Sequence, residues 1–166
     1  LKQQYHIKFV NEKDIALVEE VNTKCDDYYF IEQGKSATSK DAMAFLNELP
    51  PGKAKFDQFN IAILNENEEA IGLVNVIANY PRQGQWFIGL LLLIPDVRKS
   101  GLGKVLHQVI AEWASDGGAD SLMLAVLAEN KEAISFWQYL GYQKHAEINK
   151  VFGDKQHLVE KYVLTL

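Results

Sequence analysis

The chain has 166 residues, 48% of them hydrophobic, enough for one compact domain with a sizeable core. Its formal net charge of −5 and isoelectric point near 5.4 argue against a general nucleic-acid binder or an anionic-membrane binder, and leave room only for a local basic site. A single cysteine, Cys25, excludes an internal disulfide framework, suits a reducing compartment, and is expected to be a small buried hydrophobe.

No charged n-region with an apolar h-region opens the sequence, and no apolar run reaches the roughly 20 residues of a spanning helix, so a cytoplasmic location without membrane contact is expected. Leu1, in place of a methionine, suggests a processed or trimmed start. Tyr5–Val10 is predicted as a short strand. Asn11 and Asp14 then form a capping pattern, and Ile15, Val18 and Val21 repeat on one helical face. Cys25–Ser36 is less regular and carries Asp26, Asp27, Tyr28 and Tyr29. Thr38 or Ser39 caps the next helix, over Ala42–Leu49, which must stop near Pro50-Pro51-Gly52. Phe59–Leu64 and Ala70–Ile77 read as strands of a hairpin, joined by the polar turn Asn65-Glu66-Asn67-Glu68-Glu69. Trp86–Ile94 is the next strand, and five successive apolar residues from Leu90 to Ile94 predict burial on both faces.

The segment Arg98-Lys99-Ser100-Gly101-Leu102-Gly103-Lys104 runs directly into a helix. Leu102, Val105, Leu106, Val109, Ile110 and Trp113 share one face of it. The first N–H groups of a helix lack intrahelical partners, and the positive end of the peptide dipoles lies there. Gly101 and Gly103 let an anion approach the backbone, and Arg98, Lys99 and Lys104 add positive charge. A phosphate group is the natural occupant, at the carboxyl end of a strand where open α/β sheets commonly bind ligands. Asp116-Gly117-Gly118 ends the helix, and Ser121–Leu127 is an apolar strand. Asn130 sits where it can cap a helix carrying Ala133, Phe136, Trp137 and Leu140, closed by Gly141. Tyr142–Ile148 and Leu158–Leu164 are the last strands, with Val151-Phe152-Gly153-Asp154 turning between them. The order β-α-α-β-β-β-α-β-α-β-β gives a mixed sheet with helices on its faces, of α/β (α+β) class.

Arg98-Lys99-Ser100-Gly101-Leu102-Gly103, preceded by Ile94-Pro95-Asp96-Val97, resembles the diphosphate loop of the GNAT superfamily of acyl-CoA-dependent N-acetyltransferases: Arg or Gln, two residues, Gly, one residue, Gly or Ala. Asn130 to Tyr142, with Ala133, Phe136-Trp137 and Leu140-Gly141-Tyr142, is similar to the family's second signature. The resemblance implies a single domain over residues 1–166, with a mixed, mostly antiparallel sheet flanked by helices. It implies transfer of an acetyl group from acetyl-CoA to a primary amine of a small molecule or peptide, by direct attack through a tetrahedral intermediate. The backbone of Arg98, Lys99, Ser100, Gly101, Leu102, Gly103 and Lys104 would hold the pyrophosphate of coenzyme A. The backbone of Leu91, Leu92 and Leu93 would pair with the pantetheine arm, much as an added strand pairs with an open edge. Asn130 would bond along the arm, a role that can coexist with capping, and Ala133, Phe136 and Trp137 would line its apolar side. The oligomeric state is left open, with a homodimer as one option.

Other motifs fit worse. Val105 follows Lys104 where a Walker loop needs Ser or Thr, and Leu106 stands where a dinucleotide fingerprint needs its third glycine. His6, His107, His145 and His157 show no close ligand spacing, so no metal is expected. The reaction needs a deprotonated amine, an oxyanion donor and a proton for the thiolate. A backbone N–H near Leu92 or Leu93 can be the donor. The strand glutamate common in the family is missing from Trp86–Leu92, and Trp137 stands where many members carry an acidic tyrosine. Tyr139 lies about 200° further around the helix and should point elsewhere. The catalytic acid and base stay unassigned. Asp26, Asp27, Tyr28 and Tyr29 suit a cationic amine, with a solvated loop and two core tyrosines as the plain alternative. Tyr80 and Trp86 border the same cleft or merely pack. The rival function is a CoA-binding regulatory or sensor protein without turnover.

Overall fold

The structure is a computed structural model that describes residues 4–166, so Leu1 lies outside it. In chain order the elements are β1 (His6–Phe9), α1 (Ile15–Lys24), α2 (Asp26–Gln33), α3 (Ser39–Asn47), β2 (Gln58–Leu64), β3 (Ala70–Ile77), β4 (Gln85–Leu93), α4 (Leu102–Asp116), β5 (Ser121–Leu127), α5 (Lys131–Tyr139), β6 (Gln143–Phe152) and β7 (Lys155–Thr165). The strands join one sheet in the order β1-β2-β3-β4-β5-β7-β6. Only β4 and β5 run parallel; the other neighbours are antiparallel. The fold is a mixed α/β arrangement with a central sheet flanked by helices.

Alternation along β2 assigns the helices to faces. Phe59 packs on Trp113 of α4 (ring centroids 4.6 Å apart), and both meet Trp86 of β4. Asn60, one residue on, points the other way and bonds to the Leu46 carbonyl of α3. α1 packs on β3 and α3. Leu46, Leu73 and Leu122 are almost fully buried between these layers. Truncating any one of them to alanine would cost about 2–5 kcal/mol.

Several expectations are corrected. Cys25–Ser36 is mostly helix: Asp26 and Asp27 lie in the first turn of α2, where carboxylates favour the dipole, and Gly34 closes it. Consecutive bulky residues from Tyr28 to Ile31 hide the helical period in the sequence. The element order therefore gains a third helix before β2. Thr38, not Ser39, caps α3, and with Asp41 it forms a reciprocal box. The final hairpin is longer than predicted, because β6 and β7 pair down to Phe152↔Lys155 around Gly153-Asp154. Leu90 and Leu91 are half-buried rather than covered on both faces, for a reason that belongs to the site.

Candidate functional site

β4 and β5 pair only from Gln85↔Ser121 to Ile88↔Leu124. Beyond that point β4 stays with β3 as far as Leu93↔Gly72, while β5 stays with β7 as far as Leu127↔Val159. The two strands therefore part. The next residue on each, Gly89 and Ala125, is exposed at the mouth of the gap, although the strands around them are mainly buried. A β-bulge accompanies the parting: Asn75 faces Leu90 and Val76 faces Ile88, which leaves Gly89 as the extra residue. Bulges bend a strand and increase its twist.

Past β4, a short 3-10 turn over Pro95–Val97 leads into the loop. Lys99 and Gly101 both take left-handed conformations, with φ of 58° and 89°. α4 starts at Leu102 with no side-chain cap, and among the described residues nothing accepts from the N–H groups of residues 99–104. Alternating left- and right-handed residues gather such N–H groups into an anion-binding concavity. The space that a Cβ on Gly101 would take is empty, whereas one on Gly103 would lie 3.2 Å from the Phe136 ring. Leu102 is buried beneath the loop, and the Ser100 hydroxyl donates to the Val97 carbonyl (2.6 Å).

Arg98 departs from its expected role. Its N–H donates to the Pro95 carbonyl (3.2 Å), its Nε to the Leu93 carbonyl (2.8 Å), and its guanidinium forms a two-pronged pair with Asp27. It brings the loop neither a free N–H nor a free charge, so Lys99 and Lys104 are left as the loop's cations. Lys99 lies 3.8 Å from the Glu132 carboxylate, and the Lys104 ammonium is 5.5 Å above the centre of the Tyr139 ring. The pair holds the Asp27 carboxyl below the usual carboxylate range. The Leu93 carbonyl, which also accepts from Cys25 Sγ at 3.5 Å, is taken as well. It turns away from β3, so by alternation Leu91 also faces the edge that β5 leaves, and Leu92 bonds into the sheet. Of the three leucines expected to bind an arm, Leu91 keeps an open edge.

Asn130 Oδ1 accepts from the Ala133 N–H (3.2 Å), so it does cap α5, and its amide N–H groups remain free to donate. Ala133 and Phe136 are half-buried beside the loop. Trp137 is 7% exposed and packs among His107, Phe136 and Tyr142, so it belongs to the core and not to the gap. Its neighbours decide this, because His107 Nε2 and the Tyr142 hydroxyl bond each other at 2.8 Å beneath α4.

Three of the four residues of the expected carboxylate–aromatic box have polar partners within the fold. Asp27 is held by Arg98, the Tyr29 hydroxyl donates to Asn22 Oδ1 (2.9 Å), and the Tyr28 hydroxyl donates to Glu32 (2.7 Å). Tyr80 packs on Phe87, and Trp86 lies on the α4 face. Burial pushes the Cys25 thiol up to about 11, which leaves it protonated and inert near neutrality. An open cavity of about 630 Å³, lined by Arg82, Asp120, Ser121, Met123 and His145 among others, lies at the other end of the β4–β5 pair, away from the loop.

Three polar residues stand outside the sequence reading. Asn60 and Asn75 are register partners within apolar strands, and an asparagine flanked by Val74 and Val76 is a legible anomaly, as is Gly89 inside a strand. Glu32 is the third. Burial raises its carboxyl above the usual range despite the Tyr28 bond. A raised folded value means stability that is full below the unfolded value and lost as pH rises through the folded one. Glu32→Gln should therefore raise the melting temperature by about 2 °C at pH 8 and leave it unchanged near pH 4. Equal shifts at both pH values in a thermal melt would refute this.

Among the described residues no group of three or more His, Cys, Asp or Glu side chains is placed to hold a metal ion, and no helix is long and apolar enough to cross a membrane. A model of the acetyltransferase (GNAT) family matches residues 21–142. The uncharacterized N-acetyltransferase YobR of Bacillus subtilis (strain 168) is 25% identical over 122 residues, 74% of this chain and 46% of its own length. The chain thus matches less than half of that relative. The uncharacterized N-acetyltransferase YdgE of the same organism is 31% identical over 110 residues, 65% of this chain and 69% of its own. In fold the chain is similar to an acetyltransferase from Thermus thermophilus, with a TM-score of 0.73 at 22% identity over 98% of this chain and 97% of that one.

Proposed function

The chain belongs to the GNAT acetyltransferase family, and from that premise we propose that it transfers an acetyl group from acetyl-CoA to a primary amine of a small molecule or peptide. The free N–H groups of residues 99–104 would hold the diphosphate, with Lys99 and Lys104 as the local cations. The open edge at Leu91 and the free amide of Asn130 would hold the arm, and Ala133 and Phe136 would cover its apolar side. The thioester supplies an activated carbonyl with a good leaving group. A backbone N–H on the free edge of β4 can donate to the oxygen that becomes negative in the tetrahedral intermediate. Holding amine and thioester together lowers much of the barrier without a titrating side chain.

One observation favours turnover over a silent CoA sensor. The two tryptophans able to plug the gap, Trp86 and Trp137, are packed elsewhere, and Gly89 and Ala125 leave its mouth open. The test is a titration with acetyl-CoA, then a panel of amino acids, polyamines, aminoglycosides and peptide N-termini assayed for CoA release. Saturable binding and release with at least one amine are expected. Failure to bind at millimolar CoA would overturn the co-substrate, and binding with a silent panel would replace the transferase by the sensor.

A further inference from the structure

Asn60 and Asn75 face each other across β2 and β3, on the side of the sheet covered by α3. Asn60 is 6% exposed, and its Nδ2 donates to the Leu46 carbonyl (3.1 Å). Asn75 Nδ2 donates to Asn60 Oδ1 (2.7 Å). A backbone carbonyl only accepts, so Asn60 must turn its nitrogen to Leu46 and its oxygen to Asn75. Asn75 must then turn its own nitrogen to Asn60. Both amides are thus oriented by one carbonyl at the end of the row, and the oxygen left over is Asn75 Oδ1.

That oxygen lies over the bulged Gly89. A Cβ added to Gly89 would meet Asn75 Oδ1 closer than any real contact allows. The carboxamide fills the space a β4 side chain would otherwise occupy, beside the mouth of the gap. Resting on the transferase reading, we propose that Asn75 Oδ1 accepts a hydrogen bond from the acceptor amine and aims its lone pair at the thioester carbon. The polar group absent from β4 is supplied by β3 instead.

An amide oxygen is too weakly basic to take the proton. The amine therefore reacts in its neutral form: its nitrogen bonds to the carbonyl carbon, the C–S bond breaks with its electron pair going to sulfur, and the amine proton passes to water. The kcat/KM of the wild type then rises with pH along the titration of the amine itself.

The test is steady-state kinetics with an amine found in the panel, alongside acetyl-CoA affinity and melting curves. Asn75→Ala should lower kcat/KM for the amine at least about tenfold without changing acetyl-CoA affinity. Asn75→Asp should retain activity and move the ascending limb of the pH profile to lower pH, because a carboxylate can take the proton. The substitution sets a second acceptor against Asn60 Oδ1 in place of the donating nitrogen, so this variant should also melt at a lower temperature. Gly89→Ala removes no polar atom yet expels the carboxamide, so it should reproduce the loss. The double variant Asn75→Ala with Gly89→Ala should be no worse than Asn75→Ala alone. If Asn75→Ala fails to fold, the Asp and Gly89 variants carry the test. Unchanged kinetics in Asn75→Ala, an unmoved profile in Asn75→Asp, or additive losses in the double variant overturn the assignment and leave the transferase standing. A wild type that binds acetyl-CoA but acetylates no amine overturns both.

Discussion

Gly101→Val is expected to weaken acetyl-CoA binding roughly thirty- to a hundredfold, the largest effect of any single change at the loop. Gly101 holds φ at 89° just before α4, a region where a β-branched residue is a severe outlier. The strain costs on the order of 1–3 kcal/mol. No atom lies within 4 Å of the place its Cβ would take, so the resistance comes from the backbone alone and not from a clash. The loop can relieve the strain by rotating Gly101 to negative φ, but this turns the N–H groups of residues 99–104 out of their shared concavity. If the loop stays put, the valine fills the space left for the anion. Gly101→Ala should lose less, about tenfold, through strain alone. Calorimetric titration at fixed ionic strength is the measurement. A valine variant that binds within about twofold of the wild type would show that the diphosphate sits elsewhere.

Arg98→Ala is expected to lower the melting temperature by about 3–6 °C, from a loss of roughly 1–2 kcal/mol. The side chain ties two segments together, through Asp27 at the start of α2 and the Leu93 carbonyl at the end of β4. Both partners are partly exposed, with side chains 28% and 54% accessible, so the charge pair alone is worth little and the bridging geometry carries the rest. The Asp27 carboxyl is depressed in the fold. Its contribution is therefore present above the unfolded carboxylate value and lost as pH falls through the folded one, so the penalty of Arg98→Ala should shrink below about pH 4. Removing Arg98 also leaves a bare carboxylate near the phosphate loop. Acetyl-CoA affinity should fall, and adding Asp27→Asn should restore part of it. If Asp27→Asn alone changes the KM of the amine and not the affinity for acetyl-CoA, the carboxylate serves the acceptor after all.

Where a feature depends on neighbours in the chain, the sequence was enough. The helical period of α4, whose Leu102, Leu106 and Ile110 are buried while Val105 and Val109 of the same stripe stay exposed, the capping by Asn130 and Asn11, and the glycines at the start of α4 are consequences of local backbone geometry. So was the shape of the family-like loop, because free N–H groups at a helix start and a residue able to take positive φ are local features. α2 is hidden because its face is set by what covers it, not by its own period.

Contacts between distant segments were decided only in three dimensions. Asp27 and Arg98 are 71 residues apart, and their pairing redirects the charge that the loop sequence advertises. Trp137 is drawn into the core by His107 and Tyr142, which no helical wheel contains. The gap itself depends on register: β4 and β5 lose each other because each keeps its outer neighbour, β3 and β7, and a bulge at Gly89 bends one of them away. The aim of Asn75 follows from a carbonyl in α3 and an amide in β2. Periodicity and capping are written in adjacent residues, whereas strand register and side-chain direction are settled by competition among partners brought together from across the chain.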